Sequence, residues 1–301
     1  MVNILPIAID VCLIVVTAPW DLFIIFTMIS DRVKNKRLGI SEQLICGISV
    51  LNCFFYFLKV SRYVKLLLIM HNIFIFSRRY KVSELIFQLT TVSCKLWVST
   101  WLCTYFCLKI VNVNHKLYIC LQRLFPKLCP WVLIILIFSS FILSLTAVCL
   151  NDEKLLDTGS YQNVSFNTVF QSDNFTMQLY IMFCSAAILL FTCSALTIIG
   201  SLCRHMYRMK HNLNGTRTSN VETHVRASKT LVILLFTNFI WFSVAFVVAS
   251  VRDIQTIWQG VLPSFFTLST LLSSLNLITG NNALNKKLSA ILKCLPCFSQ
   301  A

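Results

Sequence analysis

Asp21 and Lys95 are ionisable side chains set inside long apolar runs, while Glu222, His224, Arg226 and Lys229 crowd into the stretch NVETHVRASKT, residues 220–230. These types and spacings suit ion pairing and recognition of a charged partner. They do not suit bond-breaking chemistry, which inside a membrane needs a nucleophile–base pair or a metal constellation. The five histidines, at 71, 115, 205, 211 and 224, all fall in or beside predicted loops. Most of the 14 cysteines lie in apolar runs, where a free thiol acts as a small hydrophobe. Cys294 and Cys297, in KCLPCF, are too isolated a pair for a zinc site. The expectation is a protein that is not an enzyme and has no cofactor or metal. The remaining chemical signals are two glycosylation sequons, Asn163-Val-Ser165 and Asn174-Phe-Thr176.

The elements that position these residues follow from composition. The chain has 301 residues, 57% of them hydrophobic and 12% charged, with 24 Phe but only 7 Gly and 6 Pro. Its mean hydropathy is +0.75. Apolar runs near 20 residues recur, each long enough to cross a hydrocarbon core of about 30 Å as a helix. They are apolar on every side, so they lack the period-two alternation of a barrel. The expected fold is an all-α membrane protein, a bundle of seven transmembrane helices forming one domain over residues 1–301. The predicted spans are 5–29, 43–66, 83–108, 130–150, 178–202, 230–250 and 258–281, with a short tail at 282–301. The first span reads as a retained signal-anchor, since no basic n-region or cleavage site accompanies it.

Charge selects an orientation. The net charge of +15 would point to nucleic acid in a soluble protein, but here the loops decide its meaning. The loops after spans one, three and five, together with the tail, hold 17 of the 26 Lys and Arg residues. Short loops rich in Lys and Arg are cytoplasmic. The N-terminus is therefore expected outside and the C-terminus inside the plasma membrane. Against this, Lys59, Arg62, Lys65, Arg78, Arg79 and Lys81 lie on the predicted outer side. Both sequons fall in the longest predicted outer loop, which favours the same orientation.

Several stretches together resemble the type 2 (bitter) taste receptors, a family of seven-helix G-protein-coupled receptors. LWVSTWLCTYFCLKIVN, around the third span, is similar to that family's W…T.L…F.LKIAN pattern at Trp97, Thr100, Leu102, Leu108, Lys109, Ile110 and Asn112. SLCRHMYRM resembles its SLW.H…M ending of the fifth span, and GTRTSNVETHVRASKT its G.RDPST.AH..A.K stretch. LITGNNAL matches ILGN.KL at Gly280, Asn281 and Leu284, and Asn163 aligns with the family's glycosylated Asn. The chain also departs from the pattern. Val50 stands where the second span's LAISR has Arg, Asp21 where the first span has Asn, and Ala187 where the fifth has Pro. In the seventh span TLLSS replaces PS.HS, putting Thr270 for Pro and Ser273 for His.

The resemblance implies a small organic, bitter-tasting ligand in the outer half of the bundle. Carried over by position, its site falls at Gln88, Val92 and Gln259, with Trp241 and Phe242 as an aromatic wall. The two glutamines donate and accept hydrogen bonds without charge, so neutral recognition is expected. At the cytoplasmic ends, Lys109, His205, His224, Arg226 and Lys229 are expected to meet a heterotrimeric G protein, with a gustducin or inhibitory-type α subunit. Ionisable groups in hydrocarbon need partners, so Asp21 and Lys95 are expected to pair, Lys95 replacing the charge lost at Val50. Leu288, Ile291, Leu292 and Leu295 have the spacing of a short interfacial helix, and Cys294 or Cys297 is a candidate for palmitoylation. Two alternatives share the architecture: a pheromone receptor of the vomeronasal type 1 kind, and a small polytopic transporter. The.LKI.N and H.RA.K stretches favour taste. A transporter should show repeats or Gly/Pro-broken spans, and the sequence has neither.

Overall fold

The computed structural model describes residues 4–34, 38–71, 78–111, 116–157, 175–212, 233, 237, 239–240 and 255–294. Among these residues all regular structure is helical. The helices are α1 (Ile4–Val33), α2 (Ile40–Met70), α3 (Arg78–Ile110), α4 (Lys116–Asp157), α5 (Phe175–Asn212), α6 (Gln255–Gly280) and α7 (Asn282–Cys294). The helix α6 carries the seventh predicted span, and residues 233, 237, 239 and 240 are helical points on the sixth.

Among the described residues, four stretches are long and apolar enough by themselves to cross a bilayer: Leu5–Val33, Ile40–Leu68, Tyr118–Leu150 and Gln178–Ser201. The helix α3 is as long but more polar, and packing explains how it and the polar side chains of α6 are accommodated. The helix α3 contacts α2, α4 and α5, while α6 contacts α1, α2 and α7. Their polar side chains therefore meet protein, which a helix facing lipid on all sides would not allow. Ser93 bonds Ser140 of α4 at 3.0 Å, and the Thr100 hydroxyl reaches the Ala187 carbonyl of α5 at 3.2 Å. The Tyr180 hydroxyl of α5 donates to the Leu89 carbonyl at 3.0 Å. Lipid-type surface lies on the opposite faces, as on α4 with Trp131, Ile135, Phe138 and Ile142.

The largest core cluster sits toward one end of the bundle. It joins Ile24 and Met28 of α1, Leu44 and Ile48 of α2, Leu102 and Leu108 of α3, Phe191 and Ile198 of α5, and Leu277 and Ile278 of α6. The same end is closed by α7. Asn281 caps it by accepting the Ala283 amide at 3.0 Å, Leu284 is buried, and Lys287 pairs with Asp31 of α1. Leu288 packs on the core, while Ile291 is exposed.

The segment from Lys59 to Lys81 needs a correction. Lys59 and Lys65 are not loop cations: both are buried residues of α2, which continues to Met70. Lys59 pairs with Asp10 of α1 and Lys65 with Glu84 of α3. Two of the six basic residues that opposed the charge-based orientation are thus neutralised within the bundle. The inside-positive rule counts loop charges, so they drop out of it.

Candidate functional site

Two buried polar layers join α1, α2 and α6, about 16 Å apart by the 11 residues that separate Asp10 from Asp21 on α1. In the first, Lys59 Nζ donates to both Asp10 oxygens, at 3.2 and 3.1 Å. It also reaches Thr267 Oγ1 at 2.6 Å and lies 5.1 Å from the Phe55 ring centroid. The Thr267 and Tyr63 hydroxyls both donate to Asp10. Asp10 is fully buried, and Lys59 is 6% exposed. The sequence reasoning missed this ion pair. The signal was available: Asp10 lies in the first predicted span and Lys59 in the second, where the rule applied to Asp21 and Lys95 holds equally.

The second layer is centred on Asp21, also fully buried. Its Oδ1 accepts from Asn52 Nδ2 at 3.0 Å and from the Ser274 hydroxyl at 2.9 Å. Its Oδ2 accepts from the Tyr56 hydroxyl at 2.9 Å. Asn52 thus takes the inward polar position on α2, two residues beyond Val50. Val50 itself is 49% exposed on the outer surface, so the position where the family pattern has Arg does not face this layer.

Lys95 does not touch Asp21. Its ammonium donates to the Thr270 hydroxyl at 3.0 Å. One turn on, the Ser274 hydroxyl lies 3.0 Å from the Thr270 carbonyl and 2.9 Å from Asp21. The two charges are therefore connected through a turn of α6, and each feels the other through space.

Beside Lys95 lies a cavity of ≈30 Å³ lined by Phe55, Thr91, Val92, Lys95, Leu96, Thr237, Ser269, Thr270 and Ser273. It is walled by α2, α3, α6 and the sixth predicted span. Val92 and Lys95, assigned by sequence to separate roles, share this wall because they are three residues apart on one face of α3. Gln88 lies one turn before Val92, half-buried. Gln259 is on α6, though its side chain lies outside the described residues, as do Trp241 and Phe242 altogether.

At the other end of α3, Lys109 is exposed, 5.8 Å from the Tyr105 ring centroid, within cation–π reach. The Tyr118 hydroxyl donates to the Cys107 carbonyl at 2.9 Å and fixes the start of α4 against this end. His205 is on α5, with its side chain outside the described residues. His224, Arg226, Lys229, Asn163 and Asn174 lie outside them entirely.

Comparison with known proteins adds a second line of evidence. The family model described as Taste receptor protein (TAS2R) matches residues 1–296. Taste receptor type 2 member 41 of Rattus norvegicus is 35% identical over 149 residues, 48% of this chain and 48% of that protein. The Mus musculus protein of the same name is 30% identical over 208 residues, 66% of this chain and 62% of that one. Taste receptor type 2 member 10 of Pan troglodytes is 29% identical over 213 residues, 67% of this chain and 66% of that protein. The chain thus spans about half to two thirds of the length of these curated relatives.

Proposed function

The chain belongs to the taste receptor type 2 family, and from that membership we propose that it is a bitter taste receptor of the plasma membrane, activated by small organic compounds. The observation that carries the reading is the cavity between α2, α3 and α6, in a chain of this family. Its wall is tied by Lys95 and Thr270 to the Asp21 layer, and through that layer to α1 and α2. The cavity takes one end of a ligand. The remainder lies toward Gln88 and Gln259, with Trp241 and Phe242 beside it. A ligand wedged there acts by population shift: it binds more tightly to the arrangement in which the far ends of α3, α5 and the sixth span have separated.

Those far ends carry Lys109, His205, His224, Arg226 and Lys229, and they receive a heterotrimeric G protein of the gustducin or inhibitory type. In cells carrying a promiscuous taste-type G-protein chimera, a broad panel of bitter compounds releases calcium through this receptor. Lys109→Ala and His205→Ala each lower the maximal response at least about tenfold while leaving surface expression within about twofold of the unaltered receptor. About tenfold corresponds to roughly 1.4 kcal/mol of lost coupling. Equal loss of surface protein and signal would assign these residues to folding instead.

The same reading places the N-terminus outside and both sequons in an outer loop. Asn163→Gln and Asn174→Gln each shift the glycosidase-sensitive band on a denaturing gel by one glycan, and the double change removes the glycosidase sensitivity. A receptor that is at the surface yet insensitive to glycosidase would reverse the orientation.

A further inference from the structure

Lys95 is the cation of the cavity wall, and its surroundings leave it with unused hydrogen-bonding capacity. An ammonium has three N–H donors. One goes to Thr270, and among the described residues no carboxylate lies within ion-pair distance of it. Asp21, the nearest acid in its electrostatic surroundings, has its oxygens engaged by Asn52, Ser274 and Tyr56. The neighbouring hydroxyls of Thr91, Ser269 and Thr270 donate to their own helix backbones, at 2.7, 2.9 and 2.8 Å.

Ser273 is different. Its residue is 6% exposed and lines the cavity, and among the described residues its hydroxyl is not tied to its own helix as theirs are. An ammonium with two spare donors and a hydroxyl free to donate thus face one cavity. Every donor left over there wants an acceptor, and the charge among them wants a negative one. A water needs at least about 10–15 Å³ of such space. At ≈30 Å³ the cavity admits a halide ion or a small charged head group.

We propose that this cavity is an anion subsite, in which Lys95 and Ser273 bind a small negatively charged group. That group comes either as free chloride or as the carboxylate of an agonist. The neutral recognition expected from Gln88 and Gln259 then describes only the upper part of the ligand, and the preferred agonists are organic acids. The agonist half of this inference rests on the receptor reading above; the anion site itself does not.

The test therefore begins without an agonist. Thermal unfolding of the purified full-length chain in detergent is followed while sodium methanesulfonate, whose tetrahedral head is bulkier than a carboxylate, is exchanged for sodium chloride or sodium formate at constant ionic strength. A saturable rise in Tm with either small anion is expected. The rise vanishes in Lys95→Met, shrinks in Ser273→Ala and survives in Lys95→Arg. A rise with chloride alone identifies the free ion as the occupant, whereas formate that also competes with chloride identifies a carboxylate. Equal Tm in all three salts overturns the proposal, and so does an unchanged rise in Lys95→Met. Should the calcium assay stay silent while the Tm shift is present, the receptor reading fails and the anion site stands.

Discussion

Changing Asp10 to Ala, or Lys59 to Ala, removes most of the receptor from the cell surface, whereas Asp10→Leu with Lys59→Met returns it. Each single change strands the opposite charge in a site where the side chains are 1% and 7% exposed. Breaking a buried pair from one side costs about 3–5 kcal/mol, while replacing both partners with apolar residues of similar volume is often neutral or stabilising. That loss is a large share of a total stability of about 5–15 kcal/mol. The hydroxyl bonds around the pair matter less, since interhelical hydrogen bonds in membranes average about 0.6 kcal/mol. In the double replacement Thr267 can still bond its own helix backbone, and adding Tyr63→Phe removes the one hydroxyl left without Asp10. Surface immunolabelling, together with the fraction of mature glycan, checks the series. A double replacement no better than the singles would mean that the charge itself has a role beyond holding α1, α2 and α6 together.

The second large effect is at Asp21. Asp21→Ala takes the shared acceptor from Asn52, Tyr56 and Ser274; Ser274 keeps the Thr270 carbonyl and Asn52 keeps Ser274, while the Tyr56 hydroxyl is left unsatisfied at about 1–3 kcal/mol. It also removes the negative charge nearest Lys95 in the bundle's electrostatics. Asp21→Asn keeps the shape and one acceptor oxygen, so its loss of surface expression is smaller. Adding Lys95→Met to Asp21→Ala recovers part of the loss by removing the uncompensated cation. Exchanging the charges, Asp21→Lys with Lys95→Asp, gives no such recovery. The two groups meet different partners, Asn52 and Tyr56 on one side and Thr270 on the other. Thermal unfolding of the purified variants separates these outcomes. Full rescue by the exchange would show that the pair acts as a direct ion pair after all.

Much of this arrangement is legible in the sequence, because bilayer length and the cost of intramembrane charge are strong constraints. Apolar runs announce the helical bundle, and the isolated charges within them announce Asp21 and Lys95 as inward-facing. What the sequence withholds is which turn of which helix each charge meets. That depends on helix rotation and vertical register, set by packing across α1, α2 and α6. Lys59 shows the failure most clearly. Read as one of six neighbouring basic residues it looks like loop charge, and only the extension of α2 to Met70 brings it inside against Asp10. Val50 shows the converse: alignment by motif suggested a missing inward cation, yet that residue faces outward and Asn52 turns in. Thr270 and Ser273, noticed only as departures from a family pattern, turn out to line the same cavity as Lys95. Motif comparison can register a substitution, but not that several substitutions share one space.

The most direct test of the account is nucleotide exchange on a purified gustducin-type heterotrimer, reconstituted with this receptor in lipid vesicles and challenged with the bitter panel. The account predicts that at least one compound accelerates exchange saturably and that Lys109→Ala abolishes the acceleration. Filling the cavity with Val92→Trp is predicted to raise the concentration required by at least about tenfold, roughly 1.4 kcal/mol of binding. Exchange that no compound accelerates, from a folded receptor that has kept its thermal transition, would contradict it.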